Sequence, residues 1–454
     1  MLQFRVALTI ETLNLSFIRS SLISQRSGLI LFGNISLVAR FHTMPPRKAT
    51  AKRKSASPLE ANDNQSKKTK THKTASGLRQ PHPLADEGER HGIILRKYYP
   101  PEMSNARARA YTAEEIPRPI EELYSALDDT SKERKAVKVK DSIVHWFKMD
   151  LRQSDNTALA LANEKAKEAG IPLICLYIVS PQDFEAHLRS PVRVDFMLRT
   201  LNVLKEDLAK LDIPLYVETV EKRKKIPDRI LELMEEWGAN HLFANMEYEV
   251  DELRREARMV RDLSENGKSF EVVHDTCVVP PGELQNGSGK QYAVYTPWYR
   301  AWVAHIHDNL DFLELFDPPS KNPESARKKF KTLFDCLIPD APKNKSLDDQ
   351  EKERFRTLWP CGEHEAMKRL EKFCQEKIGG YSDNRNIPSE NGTSCLSVHL
   401  ASGTISARMC VRTARDRNKT KKLNGGNDGI TTWISEVAWR DFYRHVLVNW
   451  PYIW

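Results

Sequence analysis

No C-x-x-C pair occurs in this chain, and its seven cysteines, Cys175, Cys277, Cys336, Cys361, Cys374, Cys395 and Cys410, are odd in number. That pattern argues against a disulfide framework and against a zinc site, and for a reducing compartment. No metal site is expected. No G-x-G-x-x-G follows the first apolar strand, and no G-x-x-x-x-G-K-[ST] is found, so the usual dinucleotide and nucleoside-triphosphate loops are missing. Apolar runs near the N-terminus are broken by Arg and Asn and are too short for a transmembrane helix, which excludes a membrane partner. No internal repeat is evident. A basic excess is also missing from most of the chain. The whole of its 454 residues carries a net +8, but residues 1–80 hold fourteen Lys/Arg against three acids. The remainder has 56 basic and 59 acidic groups, a net of −3. Any nucleic-acid contact there must come from a local patch. With 40% hydrophobic and 29% charged residues, the chain is neither wholly disordered nor a multi-span membrane protein.

What is present begins with a tail. Residues 1–43 carry Arg5, Arg19, Arg26 and Arg40 with a single acid, Glu11. That composition suits a mitochondrial presequence, and a misassigned start is the other reading, because Met44 opens a second beginning. MPPRKATAKRKSASP and SKKTKTHK follow, Lys/Arg blocks that suit nuclear import or loose phosphate contact and stay disordered. Residues 1–139 are expected to be tail.

From residue 142 the period changes. SIVHWF (142–147), LICLYIV (173–179), PLYVET (214–219), HLFANM (241–246) and FEVVHD (270–275) read as strands. Helices are expected between them, at 156–170, 192–211, 226–237 and 251–266. Strands apolar on both faces alternating with helices predict an α/β doubly wound parallel sheet over 140–276. Beyond it lies an interdomain linker, 277–360, in which TPWYRAW (296–302) begins an aromatic helix and 317–350 is rich in Pro, Lys and Asp. Only helical segments follow, at 362–378, 394–402, 404–417 and 430–448, the start of an all-α domain over 361–454.

Four constellations carry chemistry. NGTSCLSVHLASG (391–403) places the hydroxyls of Thr393, Ser394 and Ser397 at the opening of a short helix ended by Gly403, either an anion site or a plain cap. WISEVAWRDFYRH (433–445) puts Trp433, Glu436, Arg440 and Tyr443 in one stripe with Trp439 beside it. Trp can stack on a nucleobase, Glu can accept from a base N–H and Arg can hold a phosphate, and internal packing of the rings is the alternative. RMCVRTARDRNKTKK (408–422) has seven Lys/Arg to one acid, a backbone-tracking run or a solvated face. Asp251 and Glu252 follow the fourth strand, where doubly wound domains bind ligands, and could accept from a pterin-like ring or serve only as helix N-terminal acids.

In this order the pieces resemble the DNA photolyase/cryptochrome family, over roughly residues 140–454. DLRQSDNTALALA (150–162) is similar to its first strand–helix turn, NMEYEVDELRRE (245–256) to its antenna signature, and VVPPGELQNGSGKQYAVYTPWYRAW (278–302) to its interdomain segment. GYSDNRNIPSENGTSCLSVHLASGTIS (380–406) and WISEVAWRDFYRH are similar to the flavin and DNA segments of the class that repairs cyclobutane pyrimidine dimers.

The resemblance implies FAD as cofactor, held by Tyr381, Thr393, Ser394, Cys395, Leu396, Ser397, Trp433, Glu436, Arg440 and Tyr443. It implies a 5,10-methenyltetrahydrofolate antenna at Asp251 and Glu252. It implies contact with ultraviolet-damaged DNA by Arg385 and the run Glu436, Val437, Ala438, Trp439, Arg440, Asp441, Phe442 and Tyr443. Glu436 would hydrogen-bond the flipped dimer and Trp439 would stack on it, the two catalytic positions. The implied protein is a monomer of nucleus and mitochondrion, of fungal type. Ser154 stands where some relatives carry His. Family members continue past the 430–448 helix, so the chain to Trp454 reads as C-terminally truncated, and the expectation for it as given is weak or no FAD binding and no repair. A cryptochrome-type photoreceptor and a non-catalytic pterin- or nucleotide-binding fragment are the alternatives.

Overall fold

A computed structural model describes residues 105–387 and 389–453. The two address segments before Met44 and around residues 47–73 lie outside the described residues. In chain order the helices and strands are α1 (Asn105–Thr112), α2 (Pro119–Asp129), α3 (Ser131–Ala136), β1 (Ser142–Phe147), α4 (Thr157–Ala169), β2 (Leu173–Val179), α5 (Pro181–Ala186), α6 (Pro191–Lys210), β3 (Leu215–Thr219), α7 (Ile226–Glu236), β4 (Ala239–Asn245), α8 (Val250–Glu265), β5 (Ser269–Val273) and α9 (Tyr295–Asp308). They continue as α10 (Ser325–Lys329), α11 (Lys331–Phe334), α12 (Asp349–Leu358), α13 (Glu363–Glu376), α14 (Tyr381–Asn384), α15 (Ser397–Ser402), α16 (Ala407–Arg417) and α17 (Asp428–Asn449).

The five strands form one parallel sheet in the order β3-β2-β1-β4-β5. The chain winds outward from β1 to β3, then crosses to the other side for β4 and β5. This is the doubly wound arrangement expected from the apolar runs. All residues of β1 and β2 are buried, because helices cover both faces. Ile143, Phe147, Cys175, Tyr177 and Phe243 pack with Leu159, Ala162, Leu201 and Leu204 of α4 and α6. Val144, Trp146, Ile174, Leu242 and Phe270 pack with Ile230, Leu253 and Val260 of α7 and α8 on the opposite face.

Two expected boundaries move. The tail does not run to residue 139: Ile120, Leu123 and Ala126 of α2 are buried in the same cluster as Leu253 and Val260 of α8. An apolar triplet at helical spacing, between charged neighbours, is enough for a helix that packs rather than floats. Arg118 at the start of α2 donates to the carbonyl of Asn449 at 2.9 Å, so this segment also reaches the end of α17. The linker 277–360 likewise contains core. Trp298 and Trp302 of α9 are fully buried among Phe373, Cys410, Ile434 and Phe442 of the helical portion. Aromatic burial of this size makes α9 part of the helical core.

No described helix is long and apolar enough to cross a membrane. Leu123→Ala should lower the unfolding free energy by about 2–5 kcal/mol, the usual cost of emptying a packed leucine site. Chemical denaturation followed by circular dichroism measures it, and a neutral result would return α2 to the tail.

Candidate functional site

The turn after β1 is where the sheet meets the helices. Asp155 sits in the left-handed region, with φ 52°. Its carboxylate accepts from Arg408 Nε at 2.8 Å and from the Ser406 hydroxyl. Asp275, just past β5, accepts from Arg408 at 3.1 Å, from Thr157 N at 3.1 Å and from Arg152. Arg152 also donates to Gly403 O at 3.1 Å. All four charged residues are buried. Burial alone would raise the Asp275 carboxyl, but the Arg152 and Arg408 guanidiniums hold it down at about 2.

This quartet fixes α15 and α16 against the strand ends. Gly403, at φ 73°, ends α15 hard against the turn after β1: a Cβ there would lie 2.1 Å from Met149 O. Only glycine meets both the left-handed backbone and the close approach. Glu363 at the start of α13 accepts from the amides of Gln153 and Ser154 at 2.7 and 3.0 Å, closing the same turn from the other side.

The hydroxyl segment precedes α15. Cys395 takes φ 51° and reverses the chain, Leu396 is buried in the helical core, and Thr393 and Ser397 are exposed with Ser394 half-buried. The segment does not cap its helix, since Leu396 occupies the N-cap without a side-chain bond. Ser394 and Ser397 use their hydroxyls in no hydrogen bond among the described residues, and Thr393 Oγ1 lies 3.4 Å from Cys395 Sγ. Gly392 backs onto α14, where a Cβ would lie 2.7 Å from Asn384 Cβ. Tyr381 of α14 is buried edge-on to Phe373, and Phe373 packs on Trp433 at 5.2 Å.

α17 completes the wall. Glu436 forms an ion pair with Arg385, the residue after α14, and both side chains are about a third exposed. Trp439 is half-buried, with its ring on Tyr295 at 3.5 Å and 9°, and Tyr443 lies 5.5 Å from it. Arg440 donates to Thr276 O and to Leu400 O, the latter at 3.4 Å, so α17 is tied to α15 directly. The segments 381–385, 393–397 and 436–443 are therefore neighbours.

Within the expected contact run, the side chains of Val437, Ala438, Asp441 and Phe442 are buried. Asp441 accepts from Val278 and Val279 amides at 2.8 and 3.3 Å and from the Trp302 indole at 3.3 Å. Burial pushes its carboxyl up to about 6. His445 accepts from Trp298 and bonds Val279 O, which fixes its tautomer. Trp433 is buried too, so the stripe is split: Glu436, Trp439 and Tyr443 lie outward, while Trp433 packs inside. Of the basic run, Arg408 is a buried clamp, and Arg415 bonds Lys421 O at 3.0 Å.

Asp251 and Glu252 open α8 beside His187, Arg223 and Arg255. Arg223 lies 2.7 Å from Asp251 and 3.2 Å from Glu252, and Arg255 pairs with Glu252. Burial raises Glu252, yet Arg255, His187 and Arg223 hold it well below the usual carboxylate range. Asp183, His187 and Glu252 place ligand atoms within 4.8 Å of one another, a spacing a metal could use, but Arg223 and Arg255 already hold the carboxylates. Sequence reasoning missed the Arg152–Asp155–Asp275–Arg408 quartet. Its only signal was the DLRQSDN turn itself.

A family model described as DNA photolyase matches residues 143–321. The deoxyribodipyrimidine photo-lyase of Neurospora crassa is 60% identical over 423 residues, covering 89% of this chain and 69% of that protein. A Vibrio cholerae protein of the same name is 32% identical, covering 67% of this chain and 61% of that one. A mitochondrial one of Saccharomyces cerevisiae is 29% identical, covering 80% and 66%. Among solved structures, a class III photolyase from Agrobacterium tumefaciens superposes with a TM-score of 0.55 at 25% identity, covering 70% of this chain and 60% of that one. A Synechocystis cryptochrome shares the fold at a TM-score of 0.54 and 20% identity, covering 69% and 62%. The chain thus spans between 60% and 69% of the length of these proteins.

Asp275→Asn should cost about 3–5 kcal/mol, because two buried guanidiniums lose their shared carboxylate. The folded-state carboxyl is depressed, so its stabilisation is complete above the unfolded value of about 4 and is lost as pH falls from there through about 2. Urea unfolding of wild type and variant at pH 7 and at pH 3 checks this: the difference between them should narrow at the lower pH.

Proposed function

The chain belongs to the DNA photolyase family, and from that premise we propose that it serves as a deoxyribodipyrimidine photo-lyase, splitting cyclobutane pyrimidine dimers in ultraviolet-damaged DNA under visible light. The observation that carries this reading is the pairing, on the outward side of α17, of a carboxylate with an accessible indole: Glu436 and Trp439. A lesion lifted out of the duplex offers N–H donors and a flat face, and these two groups meet each in turn.

The ion pair of Glu436 with Arg385 gives the recognition step an exchange. Glu436 trades a guanidinium for the base N–H groups, and Arg385 is released to a nearby DNA phosphate. At this level of exposure the pair is held weakly, so the exchange costs little. Trp439 is already backed on one face by Tyr295, which keeps the indole in place for stacking.

The donor set of the turn fits FAD. Ser394 and Ser397 carry hydroxyls engaged in no other hydrogen bond, next to Thr393, on a segment reversed at Cys395. Those three would hold the diphosphate, with Leu396 and Tyr381 supporting the turn from inside. When bound and reduced, the flavin supplies the light-driven one-electron chemistry. The residues of this chain would hold it and present the lesion, with Glu436 on the outward side of α17. Asp251 and Glu252, oriented by Arg223 and Arg255, would accept from the N–H donors of a folate antenna. The composition of the tail supports a nuclear and mitochondrial destination, and the yeast relative is a mitochondrial protein.

Trp439→Ala should weaken binding to a dimer-containing duplex by about 1–3 kcal/mol, the usual cost of a lost base stack, with less effect on undamaged DNA. Glu436→Gln should lose preference for the dimer in the same assay. Gel-shift titrations on the two duplexes test this. Equal affinity of the wild-type chain for both duplexes would defeat the repair reading and favour the photoreceptor one.

A further inference from the structure

The basic run RMCVRTARDRNKTKK divides in the structure. Arg408 is sealed in the quartet, while Lys419, Lys421 and Lys422 stand exposed on the connection between α16 and α17. Arg415 and Arg417 close α16, where cations suit the carboxyl end of a helix. That dipole does not account for the three lysines, which lie beyond the helix.

The connection has a fixed base. Asn418, buried at its root, donates to Gly425 O at 2.7 Å and accepts from Asn427 N at 3.2 Å. Gly426 takes φ 89°, and a Cβ there would collide with Asn418 Oδ1. Leu423 is buried in the helical core, and its amide donates to His307 Nε2 at 3.1 Å. Arg415 Nε reaches back to Lys421 O at 3.0 Å. The lysines are therefore presented from an anchored loop.

The charge of this loop is local and poorly balanced. Residues 415–428 hold five cations against Asp416 and Asp428, a net of +3, whereas residues 81–454 as a whole sum to −3. Asp416 lies 3.4 Å from Lys421 and 3.8 Å from Arg412, and both pairs are open to solvent and weak. Arg417, Lys419 and Lys422 pair with no carboxylate among the described residues. Burial, with Arg415 and Lys422 adding, lowers the His307 imidazole, so the cations act on their surroundings.

The loop also adjoins the wall built by α14 and α17. Asn427 caps α17 by accepting from Ile430 N at 3.0 Å. Gly429, in the first turn, lies against the carbonyls of Ile378 and Gly379, which lead into α14 and on to Arg385. From Asn427 to Glu436 the helix rises about 13 Å, which is about four nucleotide steps of duplex at roughly 3.4 Å each.

We propose that Lys419, Lys421 and Lys422 form a contact surface for the phosphate backbone of duplex DNA, beside Glu436 and Trp439 along α17 and distinct from them. Lysine ammoniums neutralise phosphates as point charges and read no base edges, so this contact adds affinity without lesion preference. The proposal takes its partner from the repair reading and nothing from the cofactor sites.

Binding to a duplex with and without one dimer is measured across a series of potassium chloride concentrations. The full chain is compared with a variant combining Lys419→Ala, Lys421→Ala and Lys422→Ala. The variant should lower the magnitude of the slope of log K against log salt by roughly 2–3 on both duplexes, and leave the ratio of the two affinities unchanged. A charge-matched control combines Lys328→Ala, Lys331→Ala and Lys343→Ala, exposed lysines of the 317–350 segment, and should keep the wild-type slope. The basic N-terminal blocks are present in all three proteins, so their contribution cancels. Lysine acetylation read by mass spectrometry needs no variant: either duplex should protect Lys419, Lys421 and Lys422 in the wild-type chain. An unchanged slope, an equal loss of slope in the control, or acetylation as fast with duplex as without would each overturn the proposal. Equal protection by polyglutamate of matched charge would assign the surface to acidic proteins and overturn it too. A wild-type chain that binds both duplexes equally defeats the repair reading, while the slope and the protection still decide this proposal on undamaged DNA.

Discussion

The buried quartet of Arg152, Asp155, Asp275 and Arg408 is the constraint on which the rest of the structure depends. Two cations and two anions are taken out of water together, and each carboxylate bonds backbone or hydroxyl donors besides. Such a cluster is costly to bury and costlier to break, since one missing member leaves a charge without a partner. It joins the first strand–helix turn, the end of β5 and the start of α16, residues more than two hundred positions apart. With Gly403 pressed against Met149, it leaves α15 one position relative to the sheet. The hydroxyl turn before α15 is placed as a consequence.

α17 is then set by contacts that use its inner side. Asp441 and His445 bond the backbone of Val278 and Val279, and Trp433, Ile434, Val437 and Phe442 fill the helical core. That inner anchoring leaves Glu436, Trp439 and Tyr443 outward, next to Arg385. Positioning and recognition are thus divided along one helix: buried polar groups lock it, and accessible ones carry the chemistry. The same logic runs at the strand ends, where Arg223 and Arg255 hold Asp251 and Glu252.

The strands were legible because β-branched and aromatic runs bounded by turns have little else to become, and SIVHWF and LICLYIV are reproduced residue for residue as β1 and β2. The long helices were legible from their stripes. What escaped was burial. Helical spacing put Trp433 in a stripe with Glu436 and could not say that α17 is covered on most sides, and the resemblance named Val437, Ala438, Asp441 and Phe442 as one run with Glu436 without separating the buried members from the outward ones. α2 escaped because Ile120, Leu123 and Ala126 form only a three-residue stripe beside a charged tail. The quartet escaped because a sequence does not show which charged residues will lose their water. Arg408 sat in a basic run that looked like a solvated face.

The account's central claim is that the hydroxyl turn and the outward side of α17 form one site. Hydroxyl-radical footprinting tests it most directly, because Cys395, Trp439 and Tyr443 are all reactive side chains with at least part of their surface exposed. With FAD and a dimer-containing duplex both present, the account predicts that oxidation of all three falls together, and that an undamaged duplex spares Trp439 and Tyr443 less. Protection of Trp439 and Tyr443 with Cys395 unchanged, or of Cys395 alone, would show two separate surfaces and contradict it.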